Sequence, residues 1–299
     1  MPDHLLRIGE LSRRSGLSAD VIRAWERRYD VLHPVRTDGG FRLYSVDDIS
    51  RLRLMQHYRA RGISTAEAAG LVHRVQTAAI DQNPGVPPAD VRKALRVLRG
   101  SLESFDEAPA DRTLERLLGV FAPGAVLRDV VLAYLRELGE RWACGEATIA
   151  QEHFASSFLE GWMLTMARGW SRSGQRRAVL ACVPSERHTL GLIAFGLLLR
   201  DLGWRITYLG ADPPARAVDH AARSVGADVV VLAAALPQTL DETADQLEDL
   251  VEKHAVAIGG GGAAGSAAPW LASRTLPADP ILAAHALTAH QGSRELAPA

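Results

Sequence analysis

One histidine in the C-terminal half of the sequence stands where a ligand-binding side chain would be expected. The apolar run Ala178–Val183 predicts a buried strand, and the loop after it carries Glu186 and His188. Loops that follow the strands of a doubly wound sheet lie at its carboxyl edge, where such sheets bind ligands. A neutral imidazole is a common metal ligand, and a carboxylate on its second ring nitrogen fixes the tautomer. The pair therefore predicts a ligand site, although His188 could instead cap the following helix.

A set of arginines near the N-terminus forms a second candidate site. Arg23 and Arg27 are four residues apart, so a helix presents them on one face. Such a helix, placed in the major groove, can contact guanine edges and phosphates. Arg36 and Arg42 flank the tip of a predicted hairpin, where a wing can follow phosphates or enter the minor groove. The alternative is a solvated helix face, which is common for surface arginines.

The charge of the chain is divided unevenly. Residues 1–74 contain 13 arginines, no lysine and nine acidic residues, a net charge of +4, whereas the remaining residues have a net charge of −5. A basic module on an acidic body indicates that only the first segment meets a polyanion such as DNA.

The composition is that of a globular protein with more than one domain. A chain of 299 residues is long enough for two or three hydrophobic cores. No apolar stretch is long enough to span a bilayer, and the first residues lack the apolar region of a signal peptide. We therefore expect a cytoplasmic protein without a membrane partner. Cys144 and Cys182 are far apart in sequence, which argues against a disulfide framework or a cysteine zinc site.

The N-terminal pattern predicts a winged helix-turn-helix over residues 1–75. A short helix, Ile8–Ser15, is followed by a turn at Gly16 and by a second helix that begins at the Ser18 N-cap. The segment Pro34–Tyr44 has the pattern of a hairpin, with its turn at Asp38-Gly39-Gly40. A linker rich in proline is predicted over residues 76–88.

The rest of the chain predicts two further domains. Residues 89–174 are helical throughout, with breaks near Pro109, Pro123 and Cys144-Gly145, which indicates a four-helix bundle. Over residues 175–291 short apolar runs alternate with helical segments, which predicts an α/β domain with a doubly wound, Rossmann-like parallel sheet. Residues 292–299 are predicted to be a frayed tail.

The string VIRAWERRYDVLHPVRTDGGFRLYS resembles the MerR family of transcription regulators, and the resemblance extends over residues 7 to about 73. It implies a homodimer on a pseudo-palindromic promoter site in double-stranded DNA. Trp25 and Tyr29 are four residues apart and could pack the helix onto the wing, so a core role competes with DNA contact for Trp25. The predicted DNA-binding residues are Arg23, Trp25, Arg27, Arg28, Tyr29, Arg36, Arg42 and Tyr44.

The segment with Glu186, His188 and Gly191 is similar to the signature of cobalamin-binding domains, with Glu in place of the commoner Asp. The resemblance implies that His188 ligates cobalt from below and displaces the cofactor's benzimidazole, while Gly191 lets the corrin approach the helix. It also assigns Gly210, in the turn after the second strand, to the site. The run Gly259–Gly262 follows the fourth strand and would border the nucleotide tail, although such a run could instead cradle a phosphate.

The segment WACGEATIAQEH resembles the cap helices of CarH-type photoreceptors. The resemblance implies that Trp142 shields the upper face of adenosylcobalamin, that Glu152 and His153 contact the adenosyl group, and that Ile149 adds an apolar contact. Taken singly, Trp142 and His153 could be ordinary bundle residues. The predicted cofactor-binding residues are Trp142, Ile149, Glu152, His153, Glu186, His188, Gly191, Gly210, Gly259, Gly260 and Gly261, with His188 as the cobalt ligand.

The sequence departs from the CarH-type pattern at two places. CarH-type proteins carry a second cobalt-ligating histidine directly after the lid tryptophan, where this chain has Ala143. The exit of the third strand reads Ala233-Ala234-Ala235, without the hydroxyl that the family usually offers to the nucleotide tail. The first departure bears on the light-exposed state and the second on which cobalamin or tetrapyrrole is bound.

These expectations combine into a cobalamin-dependent, light-responsive transcriptional repressor that is not an enzyme. Adenosylcobalamin would control assembly into a dimer or tetramer, and assembly would switch DNA binding. The alternative is a MerR-type regulator that senses another cobalamin form, a bilin or haem without adenosyl photochemistry. A corrinoid methyl carrier or mutase-like enzyme is not expected, because the chain lacks a substrate barrel.

Overall fold

The computed structural model describes residues 6–36, 40–44, 46–60, 62–81, 85–170, 174–260, 274–277 and 279–292. These ranges form a winged helix-turn-helix, a helical bundle and an α/β domain, in the order that the sequence predicts.

The first unit is a helix-turn-helix with a small antiparallel sheet. Helix α1 (Ile8–Ser15) is separated by a turn from α2 (Ala19–Tyr29). The second helix begins at the predicted N-cap, because the Ser18 hydroxyl accepts a hydrogen bond from the Val21 amide at 3.3 Å. Three strands pair in the order β1-β3-β2, and β2 and β3 form the predicted wing. The strands are β1 (Leu6–Arg7), β2 (Val35–Arg36) and β3 (Arg42–Tyr44). Of the predicted wing turn, Asp38 and Gly39 lie outside the described residues.

Two longer helices complete the first unit, α3 (Val46–Ala60) and α4 (Thr65–Asp81). Because α4 continues through Asp81, the predicted linker of residues 76–88 starts too early. At the far end of this connection the Val86 amide donates a hydrogen bond to Asp129 Oδ2 at 2.8 Å, which attaches the chain to the bundle.

The second unit is the predicted bundle of four helical segments, the third of which is interrupted by a π-helical turn at Leu127–Val131. The predicted break near Pro109 lies slightly earlier, at residues 104–106, and Asp106 caps the next helix by accepting a hydrogen bond from the Ala108 amide at 3.2 Å. Pro109 lies in the first turn of that helix. The N–H groups of a first turn have no acceptor within the helix, so a proline there costs no hydrogen bond. The helices are α5 (Pro88–Glu103), α6 (Glu107–Leu118), α7 (Pro123–Val126), α8 (Leu132–Ala143) and α9 (Ile149–Met166).

The third unit is a parallel sheet of four strands in the order β5-β4-β6-β7. The chain enters at a central strand, builds outward to one side and then returns to the other. Its topological switch point therefore lies between the carboxyl ends of β4 and β6, where doubly wound sheets bind ligands. The elements are β4 (Arg176–Cys182), α10 (Leu190–Asp201), β5 (Trp204–Gly210), α11 (Ala215–Val225), β6 (Val229–Ala233), α12 (Pro237–Lys253), β7 (Val256–Gly259) and α13 (Pro280–Gly292). Gly292 belongs to α13, and residues 293–299 of the predicted tail lie outside the described residues.

Buried side chains join the bundle to one face of this sheet. A continuous apolar cluster runs from the bundle through α10 and α13 to the sheet residues Leu180 and Val231. A separate cluster on the opposite face packs α11 and α12 against Val179 and Val230. The bundle is thus held over α10, next to the switch point. Among the described helices, none is both long and apolar enough to cross a bilayer.

Candidate ligand site and nucleic-acid interface

The loop after β4 holds His188 in one defined orientation. Nδ1 of His188 lies 2.6 Å from Oε1 of Glu186, so this ring nitrogen carries the proton and donates it to the carboxylate. The His188 side chain is 74% exposed, whereas that of Glu186 is 3% exposed. The buried carboxylate therefore fixes the tautomer, and Nε2 keeps its lone pair and faces outward, as a metal ligand requires.

Glu186 is itself fixed by backbone donors. Its Oε1 accepts hydrogen bonds from the amides of Arg187 at 2.8 Å and His188 at 2.9 Å, and its Oε2 accepts one from the Ala235 amide at 2.7 Å. Burial alone would raise the pKa of the Glu186 carboxyl, but the amides of His188 and Ala235 and the His188 ring outweigh burial and hold that pKa below its usual value. The carboxylate stays ionised at neutral pH as a result.

The turn after β5 braces the same loop. The Ser185 amide donates to Asp212 Oδ1 at 2.6 Å, and the Asp212 amide donates to the Glu186 carbonyl at 3.0 Å. Asp212 and Ala235 are site residues that the sequence prediction missed. Asp212 lies two residues after Gly210, in the turn that follows the second strand, and could have been found there, but Ala235 acts through its backbone and leaves no side-chain signal.

An apolar cavity of about 220 Å³ opens beside His188. An added Cβ at Gly191 or Gly259 would meet nothing within 4 Å, so both glycines leave open space at its wall. The same wall includes Ala233, Ala234 and Ala235. The resemblance to CarH-type proteins implies a side-chain hydroxyl at this place, which these alanines lack. The cavity is lined by His188, Gly191, Leu192, Phe195, Val231, Ala233, Ala234, Ala235, Gly259, Gly260, Leu276, Pro277, Pro280 and Ala283.

Two of the predicted cofactor glycines are required by the backbone. Gly260 has φ +92°, and a Cβ there would lie 2.3 Å from the Ala234 carbonyl oxygen, so no other residue fits. Gly210 has φ +78° in the turn after β5. Gly260 also lines the cavity, whereas Gly210 is not among the lining residues. Gly261 lies outside the described residues.

The predicted cap residues meet at the junction of α8 and α9, where two large apolar side chains are uncovered. Trp142 is 53% exposed and Ile149 is 68% exposed. Next to them, Glu152 Oε2 lies 2.8 Å from His153 Nδ1, and Glu152 Oε1 accepts the Ser156 hydroxyl at 2.6 Å. Uncovered apolar side chains beside oriented polar ones indicate a surface that binds a partner or ligand.

Helix α9 connects this cap to the His188 loop. Glu160 accepts a hydrogen bond from the Thr189 hydroxyl at 2.6 Å, and Thr189 directly follows His188. Glu152 lies eight residues earlier on the same helix, a rise of about 12 Å. The cap residues and His188 therefore belong to one continuous structure. Neither Glu160 nor Thr189 was identified from the sequence.

The donor set fits a corrinoid. A single outward-facing imidazole supplies one ligand, which suits a metal that a macrocycle already holds on four sides. The apolar cavity that begins at His188 and Gly191 suits an aromatic tail, and the uncovered Trp142 suits a flat apolar ring.

The predicted DNA face is located on α2 and the wing. Arg23, Arg27, Arg28 and Arg36 are all exposed. Among them, Arg23 Nη1 lies 3.2 Å from Asp20 Oδ1, and this side chain remains about half exposed. A row of exposed arginines on a helix-turn-helix and its wing is suited to contact phosphates and base edges.

Glu26 joins α2 to the wing. Its two carboxylate oxygens accept hydrogen bonds from Arg42 Nε and the Tyr44 hydroxyl, both at 2.8 Å. Tyr44 is completely buried, so its predicted contact with DNA is wrong; burial and the Glu26 carboxylate both raise its pKa. Trp25 and Tyr29 are half-buried and pack against the core of this unit. These residues position the arginines.

Comparisons with known families agree with the three units. Residues 6–74 match the family described as MerR HTH family regulatory protein. Residues 94–165 and 176–287 match two families that are each described as a B12 binding domain. A MerR-type DNA-binding domain joined to B12-binding domains defines a cobalamin-binding transcription regulator.

Two curated relatives extend over most of the chain. The HTH-type transcriptional repressor CarH of Myxococcus xanthus is 30% identical over 255 residues, covering 84% of this chain and 85% of the relative. The repressor CarA of the same organism is 32% identical over 267 residues, covering 86% and 87%. The chain belongs to the family of HTH-type transcriptional repressors that includes CarH and CarA, and it is a regulator rather than an enzyme.

A solved structure supports the fold of the C-terminal two thirds. The monomethylamine corrinoid protein of Methanosarcina barkeri superposes with a TM-score of 0.54 at 16% sequence identity, covering 67% of this chain and 99% of that chain. The superposed two thirds of this chain thus share their fold with that protein.

Proposed function

We propose that this protein is a light-responsive transcriptional repressor whose DNA binding is switched by adenosylcobalamin-controlled oligomerisation. The observation that carries the proposal is the outward-facing Nε2 of His188, held by the buried Glu186 at the mouth of an apolar cavity. The light response and the adenosyl form are supported by the resemblance of the cap to CarH-type photoreceptors. Double-stranded promoter DNA is the partner of the winged helix.

His188 would hold the cobalt of the cofactor through Nε2. Glu186 keeps the proton on Nδ1, so the lone pair on Nε2 is available, and its backbone donors keep the carboxylate ionised. The cavity beyond Gly191 would take the nucleotide tail whose benzimidazole His188 displaces. Its alanine wall would hold this tail by shape and apolar contact rather than by a side-chain hydroxyl.

The cap would enclose the upper side of the cofactor. Trp142 and Ile149 would cover it with apolar surface and exclude water, which removes their present exposure. Glu152 and His153 would contact the adenosyl group as hydrogen-bond partners. Adenosylcobalamin supplies a cobalt–carbon bond that visible light breaks.

The packing of the cap, and through it that of the rest of the bundle, would then depend on which form of the cofactor is bound. A ligand shifts an equilibrium only if it interacts differently with two states, and the cap residues would contact the cofactor differently with its adenosyl group than without it. One packing of the bundle would favour the oligomer. Joining several winged helices raises their effective concentration on a multi-site promoter, so assembly alone can switch repression.

Ala143 would make the light-exposed state differ from that of CarH-type proteins. An alanine cannot ligate cobalt at the position after the lid tryptophan. We therefore expect a less stable light-exposed state, without the pair of histidines that this resemblance would otherwise imply.

The test is to mix apo-protein with adenosylcobalamin in darkness and to record the absorbance and the size-exclusion profile before and after green illumination. We expect a spectrum in which benzimidazole is displaced, a larger species in the dark and a smaller one after light. A bound corrinoid whose benzimidazole is still coordinated to cobalt would contradict the assignment of His188 as the cobalt ligand. A purified protein with the spectrum of a bilin or haem would support the alternative sensor.

A further inference from the structure

Helix α13 lies between the ligand cavity and the DNA-binding unit. Pro280 and Ala283 line the cavity beside His188. Ala286, on the same helix, belongs to the buried core of the winged helix-turn-helix, and Leu282 packs against that core. Leu282 and Ala286 are four residues apart, so they share one stripe of the helix, and Pro280 and Ala283 share another. One helix thus touches both functional sites.

The two ends of α13 are held differently. Near its C-terminal end, Thr288 Oγ1 accepts a hydrogen bond from Trp204 Nε1 at 3.0 Å, and the Thr288 carbonyl accepts one from Arg176 Nη1 at 3.4 Å. The segment that leads into its N-terminal end is attached to the sheet through a bridge between Ile258 and Thr275. The end that lines the cavity is held as well, because the Ile258 amide donates to the Arg274 carbonyl at 2.9 Å, the Leu276 amide donates to the Ile258 carbonyl at 2.6 Å, and Arg136 Nη2 lies 3.7 Å from Asp279 Oδ2.

The cavity is smaller than its proposed occupant requires. Its volume is about 220 Å³, whereas small-molecule sites usually measure about 300–1,000 Å³. The sheet residues of its wall are held by strand pairing, and Leu192 and Phe195 of α10 are buried in the same core as Leu276 and Ala283. The wall that includes Pro280 and Ala283 belongs to the helix that also touches the winged-helix core, so an outward movement of this wall to admit a nucleotide tail would reach the DNA-binding unit.

We propose that α13 couples the cavity to the winged helix. Entry of the nucleotide tail displaces α13 at Pro280 and Ala283, and this movement weakens the contact of Leu282 and Ala286 with the winged-helix core. The winged helix is then free to reorient toward its half-site. The inference rests on the proposed corrinoid site and adds a route from that site to the DNA-binding unit.

Thermodynamic linkage gives the coupling a measurable consequence. If loading weakens the contact between α13 and the winged helix, then breaking that contact must strengthen loading by the same factor. Couplings between sites in proteins are typically about 5–150-fold in affinity.

The experiment compares Ala286→Asp with Ala289→Asp in the full chain. Ala286 is buried in the contact and Ala289 is exposed on the same helix, so the second variant controls for a new charge on α13. Hydroxocobalamin is titrated in darkness and followed by absorbance. We expect its Kd to fall about fivefold or more in Ala286→Asp and to stay unchanged in Ala289→Asp.

Hydrogen exchange on the unsubstituted protein provides a second measurement, in case the aspartate disturbs folding. We expect the amides of α4 and the N-terminal half of α13 to lose protection when hydroxocobalamin is bound. Unchanged protection, or the same Kd in both variants, would overturn the coupling and leave the corrinoid site intact. A full chain that binds no hydroxocobalamin would overturn the proposed function itself, and the coupling with it.

Discussion

Two histidine–glutamate pairs in this protein are built in opposite ways. In both, a carboxylate lies within hydrogen-bond distance of Nδ1 of an exposed imidazole, in Glu186–His188 and in Glu152–His153. The Glu186 side chain is 3% exposed and receives three backbone amides, whereas the Glu152 side chain is 31% exposed and receives one hydroxyl.

The difference separates a site formed by the fold from a site completed by the ligand. Backbone donors at the edge of the sheet hold Glu186 whatever is bound, so His188 is oriented in advance. The cap pair lies beside uncovered apolar side chains and gains its surroundings only when a ligand covers them. Substitutions at the sheet should therefore change affinity more than equivalent substitutions at the cap.

The largest effect is expected from His188→Ala. Removing partners of a metal ligand usually lowers metal affinity about 10–100-fold, so removing the ligand itself should lower corrinoid affinity by more than about 100-fold. The absorbance of any corrinoid that still binds should show a retained benzimidazole. His153→Ala is the matched variant and should keep the absorbance spectrum in which the benzimidazole is displaced by His188. Equal losses in both variants would contradict the contrast between the two pairs.

Glu186→Gln should have the next largest effect. The amide nitrogen of glutamine would face an N–H donor of the loop, and the His188 ring would lose its charged partner. We expect hydroxocobalamin affinity to fall about 10–100-fold, and Glu152→Gln to change it much less. Titration by absorbance measures both, and a larger loss at Glu152 would reverse the assignment of the preorganised site.

A similar contrast exists within the DNA-binding unit, where Arg27 is exposed to solvent and Arg42 donates a hydrogen bond to Glu26. Arg27→Ala removes an exposed side chain and should weaken DNA binding by about 1–3 kcal/mol if it contacts a base, without lowering stability. Arg42→Ala also breaks the bond to Glu26 and should lower the protection of α2 and the wing against hydrogen exchange. The measurements are fluorescence anisotropy with a DNA duplex selected from random sequence, and hydrogen exchange. A destabilised Arg27→Ala would show that this arginine is structural.

The smallest effect concerns pH and the junction between α13 and the bundle. Burial, with the charge of Arg128 beside it, lowers the pKa of His285. The unfolded chain therefore binds a proton more readily, and stability should decrease as the pH falls through the usual histidine value of about 6.5. In His285→Gln this part of the pH dependence should disappear. Thermal unfolding at several pH values tests it, and an unchanged slope would assign the acid sensitivity to other groups.

Much of the architecture was readable from local patterns. The Ser18 cap, the change of period after Arg177 and the loop with Glu186 and His188 are short-range signals, and the structure contains each of them. The errors have local causes as well. The break near Pro109 was located only to within a few residues, because the sequence does not show that Pro109 falls in a first turn, and the helix through Asp81 was hidden by the prolines that follow it.

Contacts between distant segments could not be derived in this way. The amide of Ala235 and the side chain of Asp212 reach the His188 loop from segments that follow other strands. The Tyr44 hydroxyl donates a hydrogen bond to Glu26, which lies on another element. Helix α13 reaches the winged helix from the far end of the chain. The sequence by itself determined which residue types follow which strand, because propensity and periodicity act over a few neighbours. Only the tertiary structure decided which imidazole is braced and which is left open, because the burial of Glu186 and its bond from the Ala235 amide, 49 residues away, depend on how distant segments pack together.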